Sequence, residues 1–197
     1  MRCNPDRKRP WHIGAYRYAC GRTTIVRLRN TIPIMPAYTI SKSQTSFIDE
    51  HFFQWSFDPI TDDAIPDKKL FLQLNHPAEL HYLAAIYNWD DGPIVLEWIL
   101  DSPLCSRATA NLIFWRSAPD YYLRYDLNDL DSCPGHDREV LSLLSNIVRR
   151  YEDGSFHEID IDFDPEDEIE EITTQEPKWN FPPGVYDRIH GLIIQAA

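Results

Sequence analysis

The sequence predicts a mainly α fold: a compact helical bundle of antiparallel helical hairpins, with a small acidic β-strand or hairpin near the C-terminus. Two observations carry that expectation. Between residues 45 and 154 apolar residues recur every three to four positions, in stretches bounded by cap and turn residues. A single segment, around residue 160, alternates apolar and acidic residues with the period of a strand. The bundle is assigned to residues 35–197 as one acidic domain, and residues 1–34 to a basic N-terminal extension.

The elements follow in order. TSFIDEHFFQWSFD, Thr45 to Asp58, places Phe47, Ile48, Phe52 and Trp55 at helical spacing, with Ser46 as the expected N-cap. After the turn-rich DPITDDAIPDKK, the stretch LFLQLNHPAELHYLAAIYN puts Leu80, Leu83, Ala84 and Tyr87 on one helix face, and Pro77 suits its first turn. NWDDG, Asn88 to Gly92, is a turn in which Gly92 is free to take positive φ. Pro93 then opens the helix PIVLEWILD, which stops before Pro103, and Ser106 caps SRATANLIFWRSA, with Ala108, Leu112 and Trp115 on one face. Short loops between these three helices suggest successive antiparallel hairpins. HDREVLSLLSNIVRRYEDG is the clearest helix, with Val140, Leu144, Ile147 and Tyr151 on its apolar stripe and Gly154 as its stop. In FHEIDIDFD, Ile159, Ile161 and Phe163 alternate with Asp160, Asp162 and Asp164, as in an edge strand or hairpin arm. A Pro-bracketed KWNFPP and a short C-terminal helix from about Gly184 complete the chain.

The totals narrow the class. At 197 residues the chain can build one sizeable core, and 25% charged with 13% aromatic residues is the composition of a folded domain. The longest apolar stretches fall well short of the roughly twenty residues that span a bilayer, and the N-terminus lacks the apolar core of a signal peptide, so a cytoplasmic address is expected. Cys3, Cys20, Cys105 and Cys133 form no CxxC pair and read as free thiols.

Charge is the most informative total. Residues 1–42 contain nine Lys or Arg and one acid, net +8, so residues 43–197 carry −20 of the overall −12. Such a body repels nucleic-acid phosphates and attracts basic proteins. For residues 1–34 three readings compete: a start assigned too early, with Met35 as the true one, an organelle-targeting peptide, or a basic arm for nucleic acid; the first is favoured because the stretch lacks Ser-rich amphipathic character.

Candidate sites are few. Asp160, Asp162, Asp164, Glu166, Glu168 and Glu171 fall at the ligand positions of an EF-hand-like loop, but that loop needs Gly at its sixth position, where Pro165 locks φ near about −65°. Residues 158–176 hold ten acids and no base, with Ile159, Ile161, Phe163, Ile169 and Ile172 interleaved. That pattern reads as an ordered docking face for the Lys and Arg of a partner. Its expected partner-binding residues are Asp160, Asp162, Asp164, Glu166, Asp167, Glu168, Glu170, Glu171 and Trp179, the last as a natural hot spot. Asp90 and Asp91 are the alternative as paired catalytic carboxylates, although a turn explains them as well. The seven histidines form no metal motif, and phosphate-cradling glycine loops and GxSxG are absent, so no metal or cofactor is expected.

From Leu80 to Pro119 the chain reads LHYLAAIYNWDDGPIVLEWILDSPLCSRATANLIFWRSAP. Through Tyr87 to Gly92, Pro103, Cys105, Thr109, Ala110 and Ile113 to Trp115 this stretch resembles a bacterial domain-of-unknown-function family with a YNWDDG and TAxxIFW signature, and KWNFPPGVY is similar to that family's closing segment; Arg107 is a minor departure. The resemblance implies a small helical fold without an established catalytic role. Members look like the small acidic proteins encoded beside bacterial polymorphic toxins, which implies an immunity protein acting on a basic cognate toxin, a nuclease above all. The alternatives are an uncharacterised enzyme with a carboxylate site at Asp90 and Asp91, and a calcium-modulated adaptor.

Overall fold

The structure is a computed structural model that describes residues 36–53, 66–169 and 171–197. The readings of residues 1–34, of Trp55 and of Glu170 lie outside the described residues.

The chain enters on a short strand, β1 (Ala37–Ile40), and turns into α1 (Lys42–Ile48), which passes into a π turn at Asp49–Phe53. The cap of α1 is Ser41 and not Ser46. Ser41 Oγ accepts the Gln44 N–H while the Gln44 side chain accepts the Ser41 N–H, a reciprocal capping box. Both residues offer a hydroxyl, but only Ser41 is followed three residues later by a Gln able to close that box. Ile48 and Phe52 are buried as their spacing requires.

Six further α-helices follow among the described residues: α2 (Lys68–Phe71), α3 (Pro77–Ile86), α4 (Ile94–Asp101), α5 (Arg107–Arg116), α6 (Pro119–Tyr122) and α7 (Arg138–Asp153). Their ends are local chemistry. Pro77 occupies the first turn of α3, where its missing N–H is not needed. Asn88 Oδ1 accepts the Asp90 N–H to shape the 3-10 turn before α4, and Gly92 closes that turn at φ 77°. Ser106 Oγ accepts the Thr109 N–H at the start of α5, and Gly154 ends α7 at φ 64°.

α5 is buried on nearly every side, which makes it the central helix. α3 packs on α5, α4 packs on α7, and α5 also meets α7. Leu80, Leu83, Val95, Leu96, Ile99, Leu112, Ile113, Phe114, Leu141, Leu144 and Ile147 form one continuous apolar core between them. Burial of this aliphatic and aromatic surface is the main stabilising term.

The C-terminal third departs from expectation in two places. FHEIDIDFD makes two isolated bridges, parallel from Ile161 to Leu192 and antiparallel from Phe163 to Ile189, in place of a continuous strand. Of the three apolar residues expected on one face, Ile161 is buried, Phe163 is half-buried and Ile159 is exposed, so the alternation holds only in part. The expected helix after Gly184 is a turn followed by β2 (Ile193–Ala196), which pairs in parallel with β1, Ala37 opposite Ile193. Gly184 stands at φ 87°, outside the helical region, and Gly191 lies hard against the Asp160 backbone, so the chain leaves the turn extended. The β-branched Ile193 and Ile194 suit that state.

Candidate functional site

Residues 157–176 form an acidic strap laid across one side of the helices. It begins where the His157 N–H donates to the Cys105 carbonyl (2.9 Å), just ahead of α5. The strap then exchanges backbone bonds with the chain leading into β2: Leu192 N–H to the Asp160 carbonyl (2.9 Å), Asp162 N–H to the Leu192 carbonyl (3.0 Å), and a reciprocal pair between Phe163 and Ile189 (2.9 Å each). These bonds fix which face each aspartate presents.

The internal cations decide what the carboxylates do. Asp160 pairs with Arg107 (3.2 Å) and accepts the Ala108 N–H (3.2 Å) in the first turn of α5, where the helix dipole favours an anion. Asp162 and Asp164 share the guanidinium of Arg188, and His190 Nδ1 stands 3.6 Å from Asp162. Asp164 also accepts the Glu166 N–H (3.2 Å), and that bond together with Arg188 holds its carboxyl below the usual range. Glu168 takes both nitrogens on one edge of Arg116, at 3.1 and 2.8 Å. A divalent cation in this loop would compete with Arg107 and Arg188 for three aspartates, and Pro165 begins a 3-10 turn where a calcium loop needs its glycine.

The far end of the strap is held by Asp120 in α6. Its carboxylate accepts the Thr173 and Thr174 N–H groups (3.1 and 3.0 Å) and the Thr173 hydroxyl (2.7 Å), and its carbonyl accepts the Thr174 hydroxyl (2.9 Å). These bonds hold the Asp120 carboxyl below its ordinary value, the Thr173 hydroxyl first among them.

Between these fastenings, Glu166, Asp167 and Glu171 are exposed and make no ion pair among the described residues, and Ile169 and Ile172 stand 37% and 44% exposed beside them. Trp179 is placed differently. Its indole N–H donates to the Tyr122 carbonyl (3.1 Å) and its ring packs against Phe114 and Phe181, half-buried at the edge of a cleft of about 850 Å³ that Leu127, Val148 and Tyr151 also line. The expected docking residues therefore fall into three groups: Asp160, Asp162, Asp164 and Glu168 are paired with arginines of the fold, Glu166, Asp167 and Glu171 are exposed, and Trp179 is anchored to the core. Asp90 is exposed in its turn, while Asp91 Oδ1 accepts the Asn88 side-chain amide (3.2 Å).

Sequence reasoning missed the fasteners Arg107, Arg116, Arg188 and Asp120. Arg116, at the end of α5, also donates to the Ala85 carbonyl at the end of α3 (2.6 Å), so it stitches two helices to the strap. A signal existed in part: the three arginines are among the few bases in an acidic body, and an isolated Arg has many carboxylates to choose from.

Residues 75–152 match the model of a family described as a domain of unknown function (DUF4274). The match covers α3 to α7 and stops short of the strap and Trp179. No curated protein and no solved structure matches the chain. Among the described residues no group of three or more His, Cys, Asp or Glu side chains is arranged to hold a metal ion, and no helix is long and apolar enough to cross a membrane.

Proposed function

We propose that this chain is an immunity protein: it binds and neutralises a cognate bacterial toxin that is basic, with a nuclease as the favoured class. The observation that carries the reading is the fastened strap. Three arginines and Asp120 hold it in place, and among the described residues Glu166, Asp167 and Glu171 have no ion-pair partner and flank exposed Ile169 and Ile172. A pre-ordered loop loses little entropy on binding, two apolar side chains supply desolvated contact area, and carboxylates around them select a cationic counterpart. A nuclease must present cations to bind phosphate, so the same cations that hold its substrate would draw in this surface. The docking face is thereby narrowed from the full acidic run to the stretch 166–172, where Asp160, Asp162, Asp164 and Glu168 act as supports. The overall charge of −12 adds long-range steering.

The test is a calorimetric titration of the chain against the candidate toxin encoded in the adjacent reading frame. The combined variant Glu166→Lys, Asp167→Lys, Glu171→Lys, and separately Ile172→Asp, should each weaken binding by about tenfold or more, with circular dichroism unchanged. Affinity unaltered in both variants would remove the strap as the docking face.

A further inference from the structure

The first turn of α3 contains a buried carboxyl group that no cation among the described residues meets. Glu79 is only 2% exposed. Its Oε2 accepts the Asn75 N–H (2.8 Å) and its Oε1 accepts the Gln44 side-chain amide, and among the described residues no cation lies within ion-pair distance of it. His76 supplies no charge at the nitrogen facing this turn, because its Nδ1 accepts the Ala78 N–H (3.1 Å) and so carries no proton there. A carboxylate offers about four acceptor sites, and the fold fills two.

Glu79 is not sealed in. It lines a pocket of about 250 Å³ together with Gln44, Gln73, Asn75, Phe47 and Leu74. One wall is apolar, the rim is made of side-chain amides, and the buried polar group is anionic. The orientation of Gln44 is set from outside: its Oε1 accepts both the N–H and the hydroxyl of Ser41 (3.1 and 2.8 Å), so its amide nitrogen is the atom left to turn toward Glu79. The capping box of α1 thus builds part of the pocket before any ligand arrives.

We propose that this pocket takes a guanidinium group, with an arginine side chain carried by a protein partner as its occupant. A planar guanidinium brings five N–H donors and an apolar face. Those donors match the remaining lone pairs of Glu79 and the amide carbonyls at the rim, and the face can lie against Phe47. A lysine ammonium is compact and strongly hydrated, and it wastes the flat wall. A metal ion is poorly served, since a hard cation asks for several oxygen ligands and the pocket has one carboxylate. The assignment does not rest on the strap, and its test uses no toxin.

The experiment is an NMR titration of the full chain, reading the Asn75 backbone amide and the Gln44 side-chain amide, with Nα-acetyl-arginine methylamide as probe. Saturable shifts at both amides are expected, with binding about tenfold weaker for the lysine analogue and no saturation for the neutral citrulline analogue. Glu79→Gln keeps an acceptor for the Asn75 N–H and removes the charge, so it should weaken the arginine probe by about tenfold or more. If that variant does not fold, Phe47→Leu provides the second reading and should weaken the probe several-fold. No saturable shift in the unsubstituted chain, equal binding of citrulline, or full binding by a folded Glu79→Gln chain would overturn the proposal. Free L-arginine should bind no more tightly than the blocked probe; a preference of about tenfold for the free amino acid would overturn the protein-borne occupant, because only the free form adds an ammonium and a carboxylate.

Discussion

Arg116 and Glu168 form a two-point pair across 52 positions of sequence, Nε to Oε2 at 3.1 Å and Nη2 to Oε1 at 2.8 Å, and the third arm of the same guanidinium reaches the Ala85 carbonyl. One side chain therefore joins the ends of α3 and α5 to the middle of the acidic strap. Both partners are mostly shielded from solvent, so the planar fork is worth more here than an ordinary surface pair. Arg116→Ala should cost about 2 kcal/mol, as it strands a carboxylate and a carbonyl together. Urea denaturation of the two single variants and the double variant Arg116→Ala, Glu168→Ala should give a coupling of about 1 kcal/mol. A coupling near zero would show that the strap is held mainly by its backbone bonds.

Those backbone bonds depend on a glycine. A Cβ on Gly191 would run into the Asp160 carbonyl and stand 2.7 Å from the Ile161 nitrogen, both backbone groups that cannot rotate away. Gly191→Ala should therefore cost about 2–3 kcal/mol in thermal or urea unfolding by pushing the strap off the chain that leads into β2. Gly135 is the control, with open space where its Cβ would go and no positive φ, and Gly135→Ala should stay within about 0.5 kcal/mol of the unsubstituted chain.

A third prediction concerns acid. His81 sits between α3 and α5 with its Nδ1 3.2 Å from the Thr109 hydroxyl and its ring edge toward Phe163 of the strap. Burial, with a smaller contribution from the nearby Arg116 charge, lowers its pKa to about 4. The folded state thus takes up a proton less readily than the unfolded chain, whose histidine titrates near about 6.5. The stabilisation is fully present above that value and is lost as pH falls from about 6.5 toward 4, with a total on the order of 2–3 kcal/mol. Asp120 and Asp164, both lowered, add loss in the same direction at lower pH. Comparing unfolding at pH 7 and pH 4.5 for the unsubstituted chain and His81→Gln isolates the histidine: the variant should show the smaller drop, and equal drops would assign the acid sensitivity to the carboxylates alone.

Much of the helical body was legible because its signals are local. The turn at Gly92, the stop at Gly154, the cap at Ser106, Pro77 in a first turn and the apolar stripe of Leu144 and Ile147 all depend on neighbours within a turn or two. The C-terminal third was not legible for the opposite reason. Ile193 and Ile194 form a strand because Ala37 and Tyr38 lie alongside, some 156 positions away in sequence, and no local pattern announces a parallel partner at that distance. The acidic run misled in the same manner: alternation located the aspartates on one face, but only the fold could show that Arg107 and Arg188 meet them there. Like charges that are adjacent in sequence look like one surface, and tertiary cations divide them into supports and exposed groups.

That division makes Asp120 the most informative residue for the strap. It makes no contact with Glu166, Asp167 or Glu171 in the hydrogen-bond network, yet its four bonds to Thr173 and Thr174 close the far end of the loop that carries them. Asp120→Ala removes the three bonds to its carboxylate and keeps the one to its carbonyl, so it should loosen that end and leave α7 untouched. Amide hydrogen exchange should then speed up across residues 171–176 while the α7 amides keep their protection. If the strap is the docking face, the freed loop must be ordered again on binding, at about 0.5–1.5 kcal/mol for each immobilised side chain, so affinity for the toxin should fall although no contact residue has changed. Faster exchange with unchanged affinity would separate the two ideas: the clamp would stand as a structural device, and the surface that meets the partner would have to lie elsewhere on the domain.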